Sequence, residues 1–367
     1  MTNNTAAWKA EVEDTAAKLQ ALAEADSLII PIYTDLHTSS LKGESFRLLI
    51  QGLKEISAIR KPNAVISLGD NLSMLGRTEH ASNARIRELL TGIFDQTADA
   101  VGDVPCYILH GNHDGLGTDF FDREFWYSIV GNHYDNQKAR REGHSAYFYV
   151  DEQKSHSRLI FLSLPSGSDV EAELPTPLWE FGDIQLKWLA ETALNPESMQ
   201  EIQNIILFCH VPFTTPSESG VMTAKLGVWT GVRAAESYIK ALCGWISDRE
   251  EAEKILKAYA SHTAYHEEKR NIHADYTAAK APLIACISGH NHNDRVILPG
   301  QQNGTHPNHL PCPQILIGGA DPRVNPELRE QIQIGVSMDI LIFTPSKGRL
   351  SLIRLGDGED REYAAQV

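Results

Sequence analysis

The sequence predicts an α/β protein built on parallel βαβ units, and three observations carry that expectation. Between residues 28 and 114, apolar runs alternate three times with polar loops and helix-like segments, the pattern of strands joined by crossover helices. The first of these runs lacks polar alternation, which suits a strand covered on both faces. The composition is that of a folded chain: of 367 residues, 42% are hydrophobic and 22% charged, which excludes collagen-like, coiled-coil and mostly disordered classes.

Residues 1–26 read as an N-terminal helix, with Trp8, Val12, Leu19 and Leu22 at helical spacing and Asn3, Asn4 and Thr5 available as caps. Residues 28–33 form the first strand, which ends in Thr34-Asp35-Leu36-His37. A helix over 45–59 puts Phe46, Leu49, Ile50, Leu53 and Ile56 on one stripe and stops before Pro62, since proline cannot continue a helix and restricts its predecessor. Residues 64–68 form a second strand running into Gly69-Asp70-Asn71, and 81–97 a helix with Ile86, Leu89, Leu90, Ile93 and Phe94 inward. A third strand, 104–109, runs into Gly111-Asn112-His113-Asp114. In such sheets the ligand site lies at the carboxyl ends of the strands, where these loops collect.

Beyond residue 140, strands are expected at 146–150 and 159–164, then a helix over 183–194 with Asp183 as its N-cap, then a strand at 205–209 ending at His210. Residues 215–280 change character and read as a mainly helical insertion within a domain spanning 27–367. Residues 283–288 return to a strand, which ends in Gly289-His290-Asn291-His292. A loop by composition follows at 299–313, and the chain finishes in strands at 315–317, 338–343 and 350–355.

With 33 Lys+Arg against 48 Asp+Glu, the formal charge is −15. That disfavours nucleic acid, whose binding needs positive charge to displace counterions, and points to a small-molecule partner. Cys106, Cys209, Cys243, Cys286 and Cys312 are odd in number and widely spread, unlike a disulfide framework or a Cys₄ zinc site. The start of the chain lacks the basic and apolar regions of a leader, and no apolar run nears the ~20 residues that cross a bilayer. The expectation is a cytoplasmic protein with no membrane partner.

Five strand ends deliver metal-ligand residue types: Asp35 with His37, Asp70, Asn112 with His113, His210, and His290 with His292. Alone each is weak, because Asp-x-His arises by chance and Gly-Asp at a strand end is usually a turn. Together they form a mixed oxygen and nitrogen set suited to Zn, Mn or Fe, and unsuited to Ca or a thiolate cluster.

The order D-x-H (35–37), G-D-N (69–71), G-N-H-D (111–114), F-C-H (208–210) and G-H-N-H (289–292) resembles the calcineurin-like metallophosphoesterase superfamily, as does the helix GDIQLKWLAETAL at 182–194 before the lone histidine. The resemblance runs from about Leu28 to the C-terminal strands and leaves the first 25 residues and 215–280 unmatched. It implies a four-layer α/β/β/α sandwich of two mixed sheets flanked by helices, with a two-metal centre between their loops. One ion would take Asp35, His37 and His292, the other Asn112, His210 and His290, and Asp70 would bridge them. Two ions ~3.5–4 Å apart, bridged by a carboxylate and a hydroxide, would direct that hydroxide in line at phosphorus. His113 would protonate the leaving alkoxide, with Asp114 orienting its ring. Ser73 stands where purple acid phosphatases carry a tyrosinate, so the resemblance is to the branch holding cyclic-nucleotide phosphodiesterases and bacterial phosphoesterases.

The expected activity is therefore two-metal hydrolysis of a small phosphoester, with diesters ahead of the alternative, a phosphomonoesterase or pyrophosphatase on a nucleotide or sugar phosphate. A non-catalytic interaction module of the same fold is the rival from another class. Gly131-Asn132-His133 reads as a helix C-cap, and His262, His266 and His273 as a solvated helical face. His110, His306 and His309 adjoin the site, and Arg85, Arg233 and Arg323 are conceivable phosphate clamps.

Overall fold

The strand β1 (Leu28–Tyr33) is buried at all six residues, and its side chains divide between two cores. Ile29 and Tyr33 pack under helices, while Leu28, Ile30 and Ile32 pack against a second sheet. That division explains why its apolar run shows no alternation. The computed structural model describes residues 4–73, 82–111, 113–114, 123–131, 133–163, 181–213, 249–303, 306–324 and 331–365.

In the first half of the chain, α1 (Asn4–Leu22) precedes β1, followed by α2 (Glu44–Ile59), β2 (Val65–Ser67), α3 (Asn83–Val101), β3 (Cys106–Ile108) and α4 (Arg123–Val130). Ser82 caps α3 by accepting from the Arg85 amide, one of the donors that every helix start leaves open. Next come β4 (Phe148–Glu152), β5 (Ser157–Leu162), α5 (Asp183–Trp188) continued by a π turn (Leu189–Ala193), and β6 (Asn204–Cys209). After α6 (Arg249–Ala260) the strands are β7 (Ala264–Glu267), β8 (Ile272–Asp275), β9 (Leu283–Ser288), β10 (Arg295–Ile297), β11 (Gln302–Asn303) and β12 (His306–Pro307). The last four are β13 (Gln314–Leu316), β14 (Ser337–Thr344), β15 (Arg349–Gly356) and β16 (Arg361–Ala364).

Two six-stranded sheets result, ordered β16-β15-β14-β1-β2-β3 and β10-β13-β9-β6-β5-β4. Both are mixed: β1, β2 and β3 run parallel while β14, β15 and β16 run antiparallel, and β5, β6, β9 and β13 are parallel between antiparallel edges. One core lies between the sheets, a second joins the first sheet to α1–α4, and a third joins the second sheet to α5 and α6. This is the four-layer α/β/β/α sandwich expected.

Phe161 sits in the middle layer at 0% exposure, its ring 4.4 Å from Phe148, 5.0 Å from Phe208 and 5.4 Å from Tyr107. Phe161→Ala is expected to cost about 3–5 kcal/mol through lost transfer energy and a residual cavity. Urea unfolding should show a lower midpoint at unchanged slope. An unchanged midpoint would mean that the sheets do not depend on this ring.

Several local expectations are corrected. The N-cap of α5 is Gly182, with Asp183 already in the first turn, where its charge complements the helix dipole. The expected helical insertion at 215–280 is not corrected, since 215–248 lie outside the described residues; 249–280 hold α6 followed by the β7–β8 hairpin. His262 stands in a turn with φ 51° and His266 pairs across the hairpin with His273, so they share no helical face. The 299–313 loop contains the β11–β12 ribbon. Residues 1–3, Cys243, Trp229, Tyr238 and Arg233 lie outside the described residues. The four described cysteines are buried free thiols, and among the described residues no helix is long and apolar enough to cross a membrane.

Candidate metal centre

Every candidate side chain stands one to five residues past the end of a parallel strand: Asp35 and His37 after β1, Asp70 after β2, His113 after β3, His210 after β6, and His290 and His292 after β9. Five of them occupy the left-handed region, with φ of 49° at Asp35, 44° at His37, 51° at Asp70, 70° at His290 and 58° at His292. Such strain costs on the order of 1–3 kcal/mol per residue and persists where surroundings over-determine it. Here the Asp35 amide donates to Gly69 O and the His37 amide to Asp70 O, at 2.9 and 3.0 Å. Glycine permits the closest approaches: a Cβ on Gly111 would lie 2.1 Å from Asp70 Oδ1, and one on Gly289 2.0 Å from Thr34 Oγ1.

The loops bring the side chains to one point. His292 Nε2 is 3.1 Å from Asp35 Oδ1 and 2.9 Å from His37 Nε2. His210 Nε2 is 3.2 Å and His113 Nε2 3.7 Å from Asp70 Oδ2. Among the described residues, two groups have ligand atoms within 4.8 Å of one another, Asp35 with His37, Asp70 and His292, and Asp70 with His210 and His290; Asp70 belongs to both. Asn112 lies outside the described residues.

The surrounding hydrogen bonds orient these groups. Asp35 Oδ2 accepts from Thr34 Oγ1 and from the His290 amide, both at 2.8 Å, and Asp70 Oδ1 accepts from the His113 amide at 2.7 Å. The opposite oxygens, Asp35 Oδ1 and Asp70 Oδ2, are buried without a hydrogen-bond partner. His210 Nδ1 donates to Leu68 O at 3.0 Å, which leaves Nε2 to face Asp70. An imidazole Nε2 and a carboxylate oxygen turned towards each other suit a shared cation, and a neighbouring N–H held by a carbonyl is the usual support of a metal-ligating histidine. The oxygen and nitrogen donors thus fit divalent ions of the Mn, Zn and Fe type.

Electrostatics agree. Burial disfavours charge on Asp35 and Asp70, yet His292 beside the first and His210 and His113 beside the second hold both carboxyls well below their ordinary value. Burial likewise opposes charge on His210, but Asp70 lifts it to about 9. Burial pushes His290 down to about 3 and His113 to about 4.

Asp114 departs from its expected part. Its Oδ2 accepts from the Gly111 amide at 2.9 Å and Asn71 Nδ2 at 3.1 Å, and its Oδ1 from the Leu72 amide at 3.0 Å. Both oxygens are engaged in tying the two loops together, and His113 Nδ1 has no hydrogen-bond partner, so Asp114 does not orient that ring. Asn71, anchored by Ser67 Oγ at 2.8 Å, and Thr34 are supporting residues to which the motif pattern assigned no role. His110 is buried, with Nε2 2.6 Å from Ser163 Oγ and its ring against Trp126. His309 is exposed. Arg85 pairs with Glu88 at 2.9 Å and Arg323 with Asp321 at 2.6 Å.

A family model described as calcineurin-like phosphoesterase matches residues 30–294. No curated protein matches the chain significantly. Among solved structures it is similar to a dimetal phosphatase from Danio rerio, at 13% identity and TM-score 0.54, covering 91% of this chain and 98% of that one. PhoD aligns at 11% identity and TM-score 0.47, covering 94% of this chain and 69% of that one.

Proposed function

The chain belongs to the calcineurin-like phosphoesterase family and is a metal-dependent phosphoester hydrolase, and on that premise we propose that its substrate is a small phosphodiester. Asp35, His37 and His292 would hold one ion and Asn112, His210 and His290 the other, with Asp70 shared between them. Bound there, two ions supply charge neutralisation at the phosphate oxygens and a water whose pKa falls from 15.7 towards ~7. The protein's part is to keep the carboxylates ionised, the ligand imidazoles aimed inward and the leaving oxygen within reach of a donor. His113 is that donor. Its backbone N–H is fixed on Asp70, its ring faces the cluster, and a neutral imidazole still carries one N–H to offer. The negative charge of an arriving phosphate raises its proton affinity.

The diester reading is supported by one observation: of the three conceivable arginine clamps, the two that are described, Arg85 and Arg323, are engaged by their own carboxylates. A diester carries a single negative charge and needs less neutralisation than a monoester dianion, for which a bidentate guanidinium is the natural clamp. A paired assay of bis-(p-nitrophenyl) phosphate against p-nitrophenyl phosphate, each with Mn²⁺, Zn²⁺ or Mg²⁺, tests it. Expected is a kcat/KM for the diester higher by about tenfold or more, ~1.4 kcal/mol of transition-state preference. Preference for the monoester would overturn the diester reading in favour of a phosphomonoesterase.

A further inference from the structure

We propose that Asp294, with Arg354, Arg361 and Asp339, is a positioning unit that sets the His290–His292 loop for metal binding, an inference that rests on the metal-centre reading above. Asp294 lies two residues past His292 and outside both ligand groups. Its Oδ1 accepts from the Gly318 amide at 2.8 Å and from Arg354 Nη2 at 2.5 Å, with Arg361 Nη2 at 3.2 Å. The same two guanidinium groups converge on Asp339 Oδ2, at 3.2 Å from Arg354 and 2.6 Å from Arg361. Arg361 Nη1 also donates to Leu316 O at 2.9 Å, and Arg354 Nη1 donates to Ser337 Oγ.

The quartet adds a further tie between the two sheets beside the one the His290 amide makes with Asp35 Oδ2. Asp339 and Arg354 face each other across β14 and β15, and Arg361 lies on β16, all in the antiparallel half of the first sheet. Asp294, Gly318 and Leu316 come from the second sheet and its loops. Asp35 and Asp70 hang from the parallel half of the first sheet, whereas His290 and His292 hang from the second. The quartet therefore fixes one ligand set against the other. That matters because His290 and His292 are both in the left-handed region, where a loop without anchors would relax.

Energetics favour positioning over simple stability. Arg354 and Asp339 side chains are 2% and 0% exposed, and charges so buried gain little net stability over apolar side chains of similar volume. What two carboxylates and two planar guanidinium forks supply is direction, since each bond fixes an angle as well as a distance.

The test is Mn²⁺ titration of the metal-free full chain, read as the affinity of each equivalent alongside the thermal midpoint. Asp294→Asn keeps the shape and an acceptor for the Gly318 amide but loses the charge. Because His290 and His292 serve different ions, both equivalents are expected to weaken by roughly 10–100-fold, the range typical of groups that orient metal ligands. Asp151→Asn is the control, because it breaks the Asp151–Arg158 pair (2.7 and 2.8 Å) in β4 and β5; it should lower the midpoint and leave both affinities alone. A lowered midpoint with wild-type affinities in Asp294→Asn, or equal weakening in Asp151→Asn, would overturn the proposal. Should Asp294→Asn fail to fold, Arg361→Lys takes its place: weakening of both equivalents supports the unit and unchanged affinities refute it. Failure of the wild-type chain to take up Mn²⁺, Zn²⁺ or Fe²⁺ would instead remove the metal-centre reading itself.

Discussion

Asp70→Ala should abolish the uptake of both metal equivalents and reduce diester turnover by roughly 10³-fold or more, since a metal centre contributes several kcal/mol of transition-state stabilisation. Asp70 is the one side chain common to both ligand groups, and it is 1% exposed with one oxygen unpartnered. Its removal takes away the carboxylate that stands 3.2 Å from His210 and 3.7 Å from His113, leaving Asp35 as the remaining carboxylate of the described ligand groups to offset two cations. Alanine also strands the His113 amide, which donates to Asp70 Oδ1. Asp70→Asn separates those effects. Asparagine tolerates the left-handed backbone at φ 51° and keeps an acceptor for the amide, so the fold and thermal midpoint should hold while metal content, measured by elemental analysis, still falls. Full metal occupancy and wild-type turnover in Asp70→Asn would refute the shared-ligand reading.

The legible parts of this protein were those written over short stretches. Each of the five loops announces itself by an apolar run followed within five residues by Asp, His or Gly-Asp, and the structure brings every described member of that set together. The strands at 28–33, 205–209 and 283–288 were readable because burial on both faces makes them almost wholly apolar. What escaped depends on partners distant in sequence or on weak local signals. Asp294 looks like any acid in a loop until Arg354 and Arg361, some sixty residues later, fold over it. The direction of the Asp114 carboxylate was set by the open amides of Gly111 and Leu72, a competition between backbone and imidazole that motif order does not rank. β10 and β16 are short and rich in exposed or half-buried positions, and the β7–β8 hairpin buries only Tyr265 and Ile272 among polar neighbours. In each the two-residue period is too brief to stand out.

His113→Ala should lower kcat by ~10²–10⁴-fold, the usual contribution of a positioned proton donor, while both metal equivalents remain bound. The geometry separates it from the ligands. The ring nitrogen stands 3.7 Å from Asp70 Oδ2, against 3.2 Å for His210, and His113 belongs to neither ligand group. The bond from its amide to Asp70 is a backbone bond and survives the substitution, so loss of the imidazole need not disturb the carboxylate. If the ring protonates the departing oxygen, its importance must grow as that oxygen becomes more basic. A series of diesters with leaving alcohols of rising pKa should therefore show a small deficit for p-nitrophenol and a large one for alkyl alcohols. A deficit that is the same across the series would assign His113 to binding the phosphate. Loss of one metal equivalent from His113→Ala would instead make it a ligand.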